Sequence, residues 1–375
     1  MIQLKFLEKL LGGAEVEWID LGELCIKISS GRNKKKSIDG LYPVFGSTGI
    51  IGRTNHKVYE KHLILIARVG ANAGRVNIAQ GEYDVSDNTL IVENKNSNIL
   101  KYLYYYLVNV NLNQYAQGAG QPLITARQLK SIKIPIPCPG NQKRSLSIQA
   151  EIVRRLDSFT KLTTELTTEL NARKKQYNYY RDQLLSFKES EIEWKTLGEV
   201  ADVNTGKKPN EILEKQANFD YINAGTSRSG YCIESNCAGD TVTTPSRGQG
   251  GIGYVGYQKN SFWLGPLCYK MQSKQKDILS NKFLYYFLQS NNNLLLGLKK
   301  EGGVPAVNKI DLATLQIPIV DIAKQKQIVR ILDKFDTLTN SLNEGLPHEI
   351  ELRQKQYEYY RNLLLSFPKP DQVGA

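Results

Sequence analysis

The sequence predicts an α+β protein built by internal tandem duplication. Two mixed α/β domains are each followed by a long α-helix, and the two helices pair as an antiparallel coiled coil about a pseudo-two-fold axis. Three observations predict this. RKKQYNYYRDQLLSF, from Arg173 to Phe187, returns as RQKQYEYYRNLLLSF, from Arg353 to Phe367, with 11 of 15 positions identical. Upstream, IVRRLDSFTKLT from Ile152 returns as IVRILDKFDTLT from Ile328. The text before each helix repeats only as a skeleton of Trp, Gly and Pro. VEWIDLGEL from Val16 matches IEWKTLGEV from Ile192, and Pro122 and Pro135 match Pro305 and Pro318. A period near half the chain means two domain-plus-helix units, because solenoid repeats run to about 20–50 residues. Two similar units on one chain can pack in a self-complementary way.

The first domain is assigned to residues 1–143. Its start, MIQLKFLEKLLGG, is amphipathic and charged and lacks the apolar core of a signal peptide. LILIARVG and TLIVEN read as strands, NSNILKYLYYYLVNV and TARQLKSI as short helices, and IKIPIP as an exit strand whose prolines suit a sheet edge. The tyrosines of the first short helix fall at helical spacing and read as core. Residues 144–189 form the first helical spacer. Ile152, Leu156, Phe159, Thr163, Leu166, Leu170, Arg173, Tyr177, Tyr180 and Leu184 step alternately by four and three, the seam of a coiled coil. Residues 190–320 repeat the domain and 321–375 the spacer. In that second spacer Ile328, Leu332, Phe335, Thr339 and Leu342 keep the rhythm, and Arg353, Tyr357, Tyr360 and Leu364 resume it. Between them the repeat offset rises from 176 to 180. This marks a four-residue insertion around EGLPHEIE, where Gly345 and Pro347 predict a kink or stutter. If wholly helical, four residues would add about 6 Å.

The formal charge is +12 and the pI about 9.2. The excess is uneven: 26 Lys and Arg face 16 Asp and Glu through Phe187, leaving 23 against 21 beyond it. Such a balance suits an anionic partner such as nucleic acid, although a solvated basic surface gives the same sum. Cys25, Cys138, Cys232, Cys237 and Cys268 form no CxxC pair. With His56, His62 and His348 scattered, no zinc spacing exists and no bound metal is expected. Reduced, structural cysteines in a cytoplasmic protein follow. No apolar run nears the roughly 18 residues of a membrane span.

Catalytic motifs are missing. GxxxxGK[ST], HExxH and GxSxG do not occur. A GxGxxG does occur at Gly248, Gly250 and Gly253, but YVGYQ after it reads as strand, where a dinucleotide site needs a helix. Asp87 and Asn88 have no second carboxylate placed to suggest a metal pair.

Three pairs of loops suit contact with a nucleic acid. GRNKKKSIDG carries Arg32, Lys34, Lys35 and Lys36, and its counterpart NTGKKPN carries Lys207 and Lys208. Basic side chains among Gly and Asn suit phosphates. RVGANAGR offers Arg68, Asn72 and Arg75, and SRGQGGIGY offers Arg247, Gln249 and Tyr254, with Arg68 aligned on Arg247. Arg, Asn and Gln pair with guanine and adenine edges in the major groove. QGAGQPLITARQ supplies Gln121 and Arg127, and KKEGGVPAVNK supplies Lys300, Asn308 and Lys309. Polar hairpins with no ligand would show the same residues.

With these residues in view, the whole chain resembles the DNA-specificity subunit of Type I restriction–modification systems. The signs are the W-x-x-L-G-E openings at Trp18 and Trp194, the loops running into the IPIP and IPIV exits, the helix starts at Gln149 and Gln325, and the helix ends QYNYYR and QYEYYR. The resemblance implies two target-recognition domains, each reading half of a bipartite asymmetric double-stranded DNA site, with the helices setting the spacing. It implies two modification (methyltransferase) subunits docked on the helical region, for which Tyr177, Tyr180, Arg181, Tyr357, Tyr360 and Arg361 are the candidates. Restriction subunits would join that core. S-adenosylmethionine, ATP and Mg²⁺ would sit on the partners, and this chain would hold no cofactor and catalyse nothing. Two other readings stay open: a coiled-coil scaffold with two protein-binding domains, and a single-chain DNA-modifying enzyme. The second would need a signature such as N-P-P-Y or a nuclease carboxylate cluster, and neither occurs.

Overall fold

The computed structural model describes residues 4–34, 36–118, 120–188, 192–248, 250–300, 302 and 304–368. The chain forms two compact units, residues 1–166 with 350–375, and residues 167–349.

In chain order the first domain contains α1 (Leu4–Leu11), β1 (Val16–Asp20), α2 (Leu21–Leu24), β2 (Cys25–Ser30), β3 (Tyr42–Gly46), β4 (Gly49–Thr54), β5 (Leu63–Ala67), β6 (Val76–Ala79), β7 (Asp84–Val85), β8 (Thr89–Asn94), α3 (Leu100–Val110), α4 (Ala126–Lys130) and β9 (Lys133–Pro137). The 43-residue helix α5 (Gln142–Leu184) follows. The second domain contains β10 (Glu193–Thr196), α6 (Leu197–Val200), β11 (Ala201–Thr205), β12 (Phe219–Ile222), β13 (Tyr231–Cys232), β14 (Thr241–Pro245), β15 (Gly256–Gln258), β16 (Trp263–Leu264), β17 (Cys268–Ser273), α7 (Asn281–Ser290), α8 (Asn292–Gly297), α9 (Lys309–Ala313) and β18 (Gln316–Ile319). Last come α10 (Ile322–Asn340) and α11 (Gly345–Leu365).

The two domains have one topology. An antiparallel sheet, β2-β8-β5-β6, recurs as β11-β17-β14-β15. A mixed sheet, β4-β3-β7, recurs as β13-β12-β16, each with one antiparallel and one parallel pairing. A two-stranded ladder, β1-β9, recurs as β10-β18. In the ladders Trp18 stands opposite Pro135 and Trp194 opposite Pro318, so the repeated Trp and Pro are cross-strand neighbours. Proline lacks an N–H, and a two-stranded ladder leaves it an open side. Every residue of LILIA in β5 is buried, as a central strand covered on both faces requires. Thr125 and Gln128 cap α4 reciprocally, and Thr196 and Glu199 do the same for α6.

The helical tyrosines are core. Tyr102, Tyr105 and Tyr106 of α3 are buried, and burial pushes the Tyr106 phenol up to about 12. The Tyr105 hydroxyl donates to Asp157 Oδ1 of α5 at 2.7 Å, and Lys101 pairs with Asp157 at 2.6 Å. In the second unit Tyr286 donates to Asp333 Oδ1 of α10 at 2.5 Å, and Lys282 pairs with Asp333 at 3.4 Å. The repeated Leu-Asp in the helix text therefore anchors each domain to the helix that follows it.

Each unit completes its core with the end of the other repeat's helix. In the first, Ile152 and Leu156 of α5 share a cluster with Leu364, Leu365 and Phe367. Phe159 stacks on Tyr360 of α11, and Trp18 Nε1 donates to the Pro368 carbonyl at 3.0 Å. In the second, Tyr177 and Leu185 cluster with Ile328 and Leu332 of α10. The order of these contacts makes the helices antiparallel within each unit. The second spacer is not one long helix, however. It stops at Asn340, Ser341 takes an extended conformation, and α11 begins at Gly345. Pro347 is not the breaker. It sits in the first turn of α11, where a missing N–H costs nothing. The loop that carries Gly248, Gly250 and Gly253 leads into strand β15 and not into a helix. Among the described residues no helix is long and apolar enough to cross a membrane.

Candidate nucleic-acid interface

In the first domain three candidate loops meet at one end of the sheet β2-β8-β5-β6. The first leaves β2 at Gly31, which lies so close to the Val85 carbonyl that a β-carbon would collide with it. Arg32 N–H then donates to Val85 O at 3.0 Å, leaving the Arg32, Lys34 and Lys36 side chains exposed. The second loop, between β5 and β6, is tied to the first by Arg68, whose Nη1 donates to Ser30 Oγ at 3.3 Å. The third is bound to the second through Gly70 N–H to Pro122 O and Ile124 N–H to Arg68 O, each at 2.9 Å. Gln121 is exposed on it and Arg127 on α4, the helix that follows. Arg75 is exposed and Asn72 half-buried. Arg68 is half-buried, and its Nε is buried with no protein partner.

The second domain builds the same junction. Gly206 abuts the Leu264 carbonyl as Gly31 does that of Val85. Lys207 N–H donates to Leu264 O at 3.1 Å, so Lys207 holds the place of Arg32. Lys207 and Lys208 are exposed. Gly248 N–H donates to Pro305 O at 3.1 Å and Val307 N–H to Ser246 O at 2.9 Å. Lys309 Nζ donates to Asn204 Oδ1 at 3.0 Å, joining the third loop to the first. Arg247, Tyr254 and Asn308 are exposed. Lys300 pairs with Asp311 at 2.7 Å, which offsets its charge.

These backbone bonds correct one alignment. Ile124 bonds to Arg68 as Val307 bonds to Ser246, so Arg68 corresponds to Ser246 and Val69 to Arg247. The second loop is one residue longer in the second domain, and matching Arg to Arg absorbed that residue in the wrong place. Arg247 is an exposed side chain with no structural equivalent of its own charge. The same logic sets the third loop: Val69 bridges Leu123 as Arg247 bridges Ala306, which puts Val304 where Gln121 stands and Ile310 where Arg127 stands. Both are exposed, at 64% and 79%. Sequence reasoning passed over them because they are apolar, although the matched Pro122 and Pro305 already placed them. Lys35 and Gln249 lie outside the described residues.

The helical candidates divide differently. Tyr177 is buried, its phenol pushed up to about 12 chiefly by burial, and Tyr177 and Tyr180 both pack on Phe335. Tyr360 stacks on Phe159, Tyr357 packs against the first core, and Arg361 donates to Asn109 Oδ1 at 3.2 Å. Arg181 pairs with Asp182 at 2.8 Å. The four tyrosines sit at seam positions, as their four-three spacing demands, although Tyr180 is still 42% exposed. Their neighbours Tyr179 and Tyr359 are more exposed, at 62% and 47%. Among the described residues no cluster of His, Cys, Asp and Glu could hold a metal ion.

Comparison with known proteins agrees with this geometry. A family described as Type I restriction modification DNA specificity domain matches residues 14–175 and again 189–352. The specificity subunit of the Type I restriction enzyme EcoR124I/EcoR124II of Escherichia coli is 39% identical, over 100% of both chains. A putative type I restriction enzyme specificity subunit of Haemophilus influenzae is 32% identical, over 96% of this chain and 98% of that one. The crystal structure of a Type I restriction–modification system S subunit from M. genitalium matches with a TM-score of 0.66 at 20% identity, covering 95% of this chain and 97% of that one. A fold built twice, a family match to each copy and full-length likeness to specificity subunits place this chain in the Type I restriction–modification DNA-specificity family.

Proposed function

We propose that this chain is the non-catalytic DNA-reading subunit of a Type I restriction–modification complex. In this reading residues 1–143 and 190–320 are target-recognition domains, each reading one half of a bipartite asymmetric site. Residues 144–189 and 321–375 are spacers that set the gap and dock two modification subunits. The observation that carries the reading is the loop junction, built twice. In each domain, exposed basic side chains are fixed by backbone hydrogen bonds at one end of a sheet, with Gly allowing close approach. Phosphates draw such groups non-specifically, and base edges supply the choice of sequence.

On this reading adenine methylation with S-adenosylmethionine is the work of the modification subunits. Restriction subunits bring ATP and Mg²⁺, and the assembly works in the cytoplasm. The exposed tyrosines Tyr179, Tyr180 and Tyr359 are the candidates for the docking face. The test is binding of the chain with its modification partner to duplex DNA across a salt series. The expected result is affinity that falls steeply with salt and depends on a bipartite sequence. Absent or salt-insensitive binding defeats the reading and favours a protein-binding scaffold.

A further inference from the structure

The third loop offers different chemistry in the two domains. In the first it presents Gln121 and Arg127, both exposed hydrogen-bonding side chains. In the second the same two places hold Val304 and Ile310, 64% and 79% exposed. A single exposed apolar residue is ordinary. Here two of them replace two hydrogen-bonding groups, one in the loop and one on the short helix that follows it. Basic groups surround them: Gly248, next to the exposed Arg247, donates to Pro305 O, and Lys309, next to Ile310, reaches Asn204 at 3.0 Å, three residues before Lys207.

We propose that Val304 and Ile310 are specificity-determining residues that read thymine 5-methyl groups in the major groove of the half-site bound by the second domain. The proposal rests on the DNA-reading function above and adds the chemistry of one half-site to it. Among the four bases only thymine carries a methyl group at the major-groove edge, and apolar side chains are what recognise it. Arginine and glutamine at the same places suit guanine and adenine instead. The charge around the two residues favours DNA over an apolar protein surface. Asp311, beside Ile310, is already paired with Lys300 at 2.7 Å, which leaves Lys309 and Arg247 as the exposed charges on this face.

The experiment selects bound sequences from a randomised duplex pool, using the full chain assembled with its modification subunits. One pool is synthesised with thymidine and a second with deoxyuridine, which lacks only the methyl. The expected result is a bipartite consensus in which one half-site loses enrichment at its thymine positions in the deoxyuridine pool. Each lost methyl should weaken binding about fourfold, the effect of one methyl removed from an apolar contact. The double variant Val304→Ser with Ile310→Ser should show the same loss on thymidine DNA and no further loss on deoxyuridine DNA. Identical half-sites selected equally from both pools would overturn the proposal while leaving DNA reading intact. So would methyl sensitivity that persists in the double variant. Failure to select any bipartite sequence from either pool would defeat the DNA-reading function itself, and this inference with it.

Discussion

Phe159 stacks on Tyr360 with ring centroids 5.2 Å apart and planes 15° from parallel. Phe335 stacks on Tyr180 at 5.8 Å and 26°. The two pairs are one contact used twice: the Phe of each repeat meets the Tyr of the other. Such reciprocity is what duplication gives when each repeat's helix closes the core of the other. Each pair lies wholly within one compact unit.

This pairing is testable by double-mutant cycles. Phe159→Ala and Tyr360→Ala should couple by about 1 kcal/mol in urea unfolding, the excess that stacked aromatics carry beyond buried area. Hydrogen exchange should localise the loss to the first unit. Phe335→Ala with Tyr180→Ala should give a similar coupling, localised to the second.

Asp157 and Asp333 are expected to behave alike. Asp157→Ala leaves the buried Tyr105 hydroxyl only Thr160 Oγ1, at 3.4 Å, and should destabilise the first unit by about 2 kcal/mol, as loss of a hydrogen bond to a charged group does. Asp157→Asn keeps an acceptor and loses only the exposed pair with Lys101, so its cost should stay below about 1 kcal/mol. Denaturant midpoints for the two variants, and for Asp333→Ala and Asp333→Asn, measure this.

The loop assignments separate in salt titrations. Arg32→Ala and Lys207→Ala should each reduce the slope of log affinity against log salt by about one and weaken all sequences alike. Arg247→Ala should instead relax sequence choice at one half-site. Uniform weakening across sequences would make Arg247 a phosphate contact.

Deleting Ser341–Glu344 tests the insertion. From Phe159 to Tyr180 the chain advances 21 residues, and from Phe335 to Tyr360 it advances 25. The four surplus residues equal the four between α10 and α11 that are not helical. The estimate of about 6 Å assumed helical residues and does not apply to them. Deletion should therefore leave the gap in the recognition sequence unchanged, as read by methylome sequencing of cells carrying the variant. A gap altered by whole base pairs would show that these residues do measure length.

Alkaline stability follows from the buried phenols. Tyr106 and Tyr177 are pushed up to about 12, chiefly by burial, while an unfolded tyrosine ionises near about 10. Below about pH 10 both states keep these protons. Between about 10 and 12 the unfolded state releases them and the folded state does not, so stability falls as pH rises. Tyrosinate absorbance should show a late phase that coincides with loss of helical circular dichroism.

The sequence made the repeats, the seam and the exit strands legible because they obey local rules. The four-three spacing from Ile152 to Leu184 needs no knowledge of tertiary structure, and neither does the pairing of Pro135 with Pro318. The anchoring role of Asp157 was hidden, because its partner Tyr105 lies 52 residues away and only the packed helices join them. The same spacing marked Tyr177, Tyr180 and Tyr360 as seam residues, and each packs on a phenylalanine or core cluster of the other repeat. In the loops, residue identity misled where length differed: Arg68 and Arg247 share a side chain but not a position.

The contact between Trp18 and Pro368 bears on how the chain is made. Residues 167–349 form an unbroken stretch, so the second unit has all its parts before synthesis ends. The first unit needs Leu364, Leu365 and Phe367 to close its core. That part of its core stays open until α11 has been translated. Domains commonly mature in the order of their translation; here the one translated first is the one completed last.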